Sequence, residues 1–118
     1  MDKNTVLLKK AYYAFNTRNI DNALATMHPD VKWPNGQDGG FVNGHDEIRS
    51  YWTRQWGMID PDVEPVQIAA DANGNVVADV RQVIRDLHEN VISDEIIQHV
   101  YSIENGLIKN MHIQHKAI

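Results

Sequence analysis

His99 is the residue best suited to chemistry in this chain, because an imidazole can donate, accept or shuttle protons near neutral pH. It lies in a run where period-two alternation sets Ile97, His99, Tyr101 and Ile103 on one strand face and Gln98, Val100 and Ser102 on the other. Two roles are open to it: a proton carrier in a site, or a core histidine hydrogen-bonded to Tyr101 or a neighbouring strand. The run after it folds back at Glu104-Asn105-Gly106. A two-residue Asn105-Gly106 turn sets His112 opposite His99, whereas a three-residue turn sets Met111 there. No pair of histidines has metal-ligand spacing backed by a carboxylate, so no metal site is expected.

Asn35 offers a polar amide that can orient a ligand carbonyl or a water, or simply serve the turn it shares with Gly36. Gly36, Gly39 and Gly40 lack the Lys-Ser/Thr of a phosphate loop, so nucleotide binding is not expected. Phe15, Trp33, Trp52, Trp56 and Tyr101 suit a flat, ring-containing ligand if they share a cavity, and plain core packing if they do not. Trp56 stands nearest its helix end and is the candidate for a mouth residue.

The elements that must position these groups follow from periodicity. Leu7, Leu8, Ala11, Ala14 and Phe15 recur at helical spacing between Asn4 and Arg18. A second, shorter helix is expected from the Asn19-Ile20-Asp21-Asn22 cap through Met27, stopping at His28-Pro29, with a short strand at Val31-Lys32-Trp33. Residues 35–40 form a rim loop, and Gly44-His45-Asp46-Glu47 opens a third helix whose apolar face is Ile48, Tyr51, Trp52, Trp56 and Ile59. Long strands are then expected over Val63 to Ala72, Val76 to Leu87, Val91 to Ile103 and Leu107 to His115. Helices first and strands later is the α+β pattern, with helices covering one face of the sheet. On the strand from Val76, Asp79, Arg81 and Arg85 fall on the face away from Val80, Gln82 and Ile84.

Composition narrows the function classes. The chain has 118 residues, 42% of them hydrophobic and 23% charged, which fits one globular domain over residues 1–118. A formal charge of −5 argues against binding a phosphate backbone, so nucleic acid is not an expected partner. The absence of cysteine removes disulfides and thiolate chemistry. No window approaches the ~18 apolar residues of a membrane span. Near the N-terminus only Val6, Leu7 and Leu8 are consecutive apolar residues before a lysine pair, too short a core for a signal peptide, so a cytoplasmic protein is expected.

The order of elements and the local wording resemble the nuclear transport factor two-like superfamily, in its SnoaL-like and ketosteroid isomerase-like branches. Asn19-Ile20-Asp21-Asn22-Ala23-Leu24 through His28-Pro29-Asp30-Val31 looks like that family's second helix and first strand. Gly44-His45-Asp46-Glu47-Ile48 looks like the opening of its third helix, and His99 through Ile108 like its closing hairpin. The resemblance implies a cone-like curved antiparallel sheet wrapped around N-terminal helices, a cystatin-like roll with one apolar cavity. It also implies that His99, Tyr101, Met111 and His115 face that cavity while His112 looks outward.

The chemistry of the family does not carry over intact. At the position of the isomerase branch's carboxylate base the chain has Asn35, at its first-helix tyrosine Ala11, and at its strand acid His99. Steroid isomerisation by that mechanism is therefore disfavoured, although Tyr12 or Tyr13 reaches inward if the register slips by one. Trp33 and Asn35 resemble the water-holding pair of the limonene epoxide hydrolase branch, but the Arg-x-Asp pair of that branch has no clean match among Asp79-Val80-Arg81 and Arg85-Asp86.

The expectation is a homodimeric SnoaL-like protein, paired through its outer sheet face, that binds a small hydrophobic or aromatic molecule without a cofactor. If it is catalytic, His99 carries the proton and Asn35 orients, in an isomerisation, cyclisation or hydration. Phe15, Trp33, Trp52, Trp56, Ile97, Tyr101, Met111 and His115 are the candidate walls. The alternative is a non-catalytic binding or dimerising module of the same fold.

Overall fold

The protein is described by a computed structural model covering residues 2–36 and 38–114. Helix α1 spans Lys3–Asn16, its first turn capped by Asp2, whose carboxylate accepts the Thr5 N–H at 2.8 Å. Leu8, Ala11 and Tyr12 bury its inner face. Helix α2 spans Ile20–Leu24, with the Asn19 side chain accepting from Asn22 N–H.

The second helix ends before Met27, where a longer one was expected. The Thr26 hydroxyl donates to Ala23 O at 2.6 Å, and Thr26 O accepts Ile108 N–H at 2.9 Å, so the chain is drawn into the sheet. Strand β1 therefore begins at Met27 and runs to Pro34. Its pairing with the last strand shifts register between Met27 and Lys32, a break that accommodates Pro29. A short strand β2, Phe41–Asn43, went unpredicted because three residues carry too little pattern.

Helix α3 covers Gly44–Trp56, starting where expected. Gly44 has φ +80°, and the Glu47 carboxylate reaches back to accept Asn43 N–H at 2.9 Å. Ile59 lies beyond it, since Gly57 ends the last turn. Strands β3 (Asp60–Ala70), β4 (Val76–Arg85), β5 (Val91–Glu104) and β6 (Leu107–Gln114) follow. The first of these starts earlier than Val63 and takes in Pro61 and Pro65, which an edge strand tolerates.

The six strands form one curved, unclosed sheet in the order β2-β1-β6-β5-β4-β3. All neighbours are antiparallel except β1 and β6, which run parallel, so the sheet is mixed where a purely antiparallel one was expected. The helices lie on its concave face. Between them sit the best buried side chains, among them Leu8, Val31, Ile48, Trp52, Val80, Tyr101, Ile108 and Met111.

The closing hairpin gives His99 a third cross-strand neighbour, Ile113, while Met111 faces inward and His112 outward as the resemblance implied. The turn is the two-residue Asn105-Gly106 form, with Glu104 opposite Leu107 and both turn residues at positive φ. An extra residue in β6 then shifts the register between Ser102 and Ile103, so that Tyr101 faces Met111, Val100 faces His112 and His99 faces Ile113. Met111 thus shares the buried face with Tyr101, while His112 is exposed on the other side.

Candidate functional site

The concave face and the helices enclose a cavity of about 110 Å³. Its floor is made of buried residues: Ala11 and Tyr12 from α1, Met27 from β1, Trp52 from α3, His99 and Tyr101 from β5, and Met111 from β6. Partly exposed residues frame the opening, including Pro34, Gln55, Gln82, Ile84 and Ile113. Among the described residues, no Asp, Glu, Lys or Arg lines the cavity.

His99 reaches this floor because the β5 alternation places it beside Ala78 of β4 and beneath α1. Its Nδ1 lies 2.9 Å from Tyr12 Oη and 3.5 Å from Tyr101 Oη. Tyr101 Oη in turn lies 2.7 Å from Tyr12 Oη. The Tyr12 ring stacks on the imidazole at 5.9 Å, and Tyr101 meets both rings edge-on. Three polar side chains are therefore joined at the bottom of an apolar recess.

Burial sets the protonation of this trio. It pulls the His99 pKa down to about 4, so the imidazole is neutral at pH 7. Burial also pushes both phenols far up, reinforced at Tyr12 by Tyr101 and partly opposed at Tyr101 by its hydrogen bond to Tyr12. Tyr51 on the α3 side of the cavity is raised too, chiefly by burial, against the hydrogen bonds from Gly36 N–H at 3.0 Å and the Gln55 amide at 3.1 Å.

Of the expected site residues, Phe15, Trp33, Trp52, His99, Tyr101 and Met111 line the cavity together. Ile97 does not: it is paired with Val80, and both are packed in the core. Trp56 forms a second layer, stacked on Trp52 at 5.7 Å with Phe15 edge-on at 5.3 Å and the Arg18 guanidinium 4.9 Å from its ring centre. It is thus a support behind the wall rather than a lining residue. His115 lies outside the described residues.

Asn35 departs from its expected place as well. It does not line the cavity, and its side-chain oxygen accepts Asp38 N–H at 2.9 Å, which closes the loop over residues 35–40. That loop is tied to α3 by the Arg54–Asp38 ion pair at 2.6 Å and by the Tyr51 hydroxyl that accepts from Gly36 N–H. Tyr12, Tyr51, Gln55 and Gln82 were not singled out as walls. Tyr12 was legible only as the alternative to Ala11: four residues beyond Leu8, it shares the buried stripe, whereas Tyr13 is 68% exposed.

A helical layer packed into a curved sheet around one small apolar cavity is the cone architecture of nuclear transport factor two-like proteins. The family model for the SnoaL-like domain matches residues 8–111, and the chain belongs to that family. Comparison with curated proteins gave no match. Among solved structures, a nuclear transport factor two-like protein of unknown function from Burkholderia pseudomallei is 21% identical, with a TM-score of 0.84 over 98% of this chain and 92% of the other. TerC, co-crystallised with polyporic acid, gives the same identity, score and coverage. A putative polyketide cyclase from Xanthomonas campestris is 18% identical, with a TM-score of 0.77 over 97% and 90% of the two chains. At these identities the likeness is one of fold.

Proposed function

We propose that the protein binds a small, neutral, ring-bearing molecule in this cavity and carries out cofactor-free acid/base chemistry on it through His99. The observation that supports this most is the polar trio of His99, Tyr12 and Tyr101 at the base of an otherwise apolar recess. A space of about 110 Å³ is on the scale of a single six-membered ring, since a cavity of roughly 150 Å³ holds benzene. The missing charge in the lining favours a neutral ligand, because a buried carboxylate or ammonium without a partner is costly. TerC, a protein of the same fold, was co-crystallised with a small organic molecule, polyporic acid, which supports small-molecule binding but not the neutral class.

In this reading Trp33, Trp52, Phe15, Tyr101 and Met111 hold the ring, Trp56 backs Trp52, and Asn35 sets the loop that carries Gly36 to the rim. Binding is tested by tryptophan emission and thermal shift across a panel of one- and two-ring carbonyls, phenols and alcohols. Ligands that quench emission and raise Tm in the wild type, and lose both effects in Trp33→Ala, support the cavity. Silence across the whole panel rejects it.

A second reading, a binding module without turnover, is favoured by the same Tyr12 contact, which satisfies Nδ1 as in a structural core histidine. Turnover abolished in His99→Gln separates the two. A second copy packed on the outer face of β4, β5 and β6 completes the proposal.

A further inference from the structure

The end of α1 is stitched to the edge strand β3. The Asn16 amide serves as a strand partner: its Oδ1 accepts Val63 N–H at 2.9 Å and its Nδ2 donates to Val63 O at 2.7 Å. Two residues on, Arg18 donates through Nη1 to Phe15 O at 3.1 Å and through Nη2 to Pro61 O at 2.7 Å, and Nη2 also meets the Asp60 carboxylate. Its guanidinium lies 5.6 Å from the Phe15 ring centre and 4.9 Å from that of Trp56. Phe15, Pro61 and Val63 all line the cavity, so one short seam holds three of its walls.

Two features set this seam apart from an ordinary helix end. Arg18 sits at φ +62°, where a helix terminus commonly carries glycine, while its N–H and that of Asn19 close the last turn onto Phe15 O and Ala14 O. A long side chain kept at a strained backbone position points to a use for that side chain. The second feature is Trp56, whose Nε1 is, among the described residues, the fully buried side-chain nitrogen that lacks a hydrogen-bond partner. No hydrogen bond orients this indole, which is held by stacking on Trp52, by the edge of Phe15 and by the Arg18 cation.

The first half of β3 has little else to hold it. It belongs to the last strand of the sheet, so β4 is its strand partner on one side only. Pro61 and Pro65 bring no N–H, and the register with β4 shifts between Pro65 and Gln67. Without the seam, Pro61 and Val63 are free to draw away from Phe15.

We propose that Asn16 and Arg18 are positioning residues that set the ring capacity of the cavity, an inference that rests on the ligand-binding reading above. Neither lines the cavity; each acts through the wall residues it holds. With the seam intact, the space of about 110 Å³ takes one ring. With the seam loosened, room opens between α1 and β3 and a second, fused ring is admitted. The planar guanidinium is what the place requires, since its fork reaches Phe15 O, Pro61 O and the Asp60 carboxylate together, whereas an ammonium is a single point of charge.

The test is calorimetric titration at pH 7 with two probes, phenol and 2-naphthol, and reads the ratio of their affinities. The wild type is expected to prefer phenol by about tenfold or more, the scale on which a pocket of fixed size discriminates. Arg18→Gly relieves the positive φ, so the helix end folds readily, and it is expected to cut that ratio by about tenfold as 2-naphthol gains and phenol loses. Arg18→Lys should shift the ratio in the same direction by less, and it decides the matter if the glycine variant does not fold. Arg49→Gln, which breaks an exposed ion pair with Asp21 away from the cavity, should keep the wild-type ratio. A ratio unchanged in both Arg18 variants overturns the proposal and leaves the binding reading standing. Equal weakening of both probes overturns it as well, because that is what loss of stability alone produces. A wild type that binds neither probe removes the binding reading, and the proposal falls with it.

Discussion

At His99 a buried imidazole links the chemistry of the site to the stability of the fold. Its pKa is about 4 in the folded protein and near 6.5 when exposed, with burial the cause. Between these values the unfolded chain binds a proton that the folded one refuses, so stability is full above pH 6.5 and declines as pH falls towards 4. The loss is on the order of 3 kcal/mol across that window. Urea midpoints measured from pH 7 to pH 4 should show it, and His99→Gln should flatten that part of the curve. Tyr12→Phe keeps the ring but strips the hydroxyl that joins Tyr101 to Nδ1, and a cost of about 1–3 kcal/mol is expected from the same urea series. The histidine was legible in the sequence, because alternation along one strand groups it with Tyr101 and the family resemblance turns that face to the cavity. Its partner was not, since whether Ala11, Tyr12 or Tyr13 points inward depends on the rotation of α1 against the sheet, which packing decides.

Between elements, the aromatic wall is a matter of how α3 leans on α1 and β1. Trp52 is fully buried, with Phe15 at 5.4 Å, Trp33 at 5.8 Å and Trp56 at 5.7 Å between ring centres. Trp52→Ala should destabilise by about 3–5 kcal/mol, read as a fall in the urea midpoint, whereas Trp33→Ala at the partly exposed rim should cost less and weaken ligand binding more. The start of α3 and the Asn105-Gly106 turn were both readable, because each uses residue types that local backbone geometry demands. The bulge after that turn was not. A register shift of one residue leaves no mark in the alternation of so short a strand, yet it sets Ile113 rather than His112 or Met111 opposite His99. The early end of α2 escaped for a related reason: the bond between Thr26 and Ile108 is non-local and outweighs the helical spacing that Met27 continues.

For the molecule as a whole, one layer of helices on a curved sheet leaves the convex face of β4, β5 and β6 uncovered by the described elements. An antiparallel face can simply meet water, so its composition must decide. Polar ladders cross it, with Arg81 bonded to Asp94, and Gln98 bonded to both Asp79 and Gln114. Each polar group in these ladders finds a lateral partner within the chain, which lowers the cost of covering it. Between the ladders Val100 lies buried and Ile96 stands 46% exposed, both on the face turned away from the cavity. In the proposed dimer this mixed surface would pack on its own copy about a two-fold axis, with an Arg81–Asp94 pair meeting its counterpart. Light scattering at micromolar concentration is therefore expected to give twice the 13.5 kDa chain mass. Ile96→Asp should shift the protein to monomer with Tm changed little, since that side chain is half exposed within one chain. A wild type that stays monomeric at high concentration removes the dimer and leaves the cavity as the basis of function.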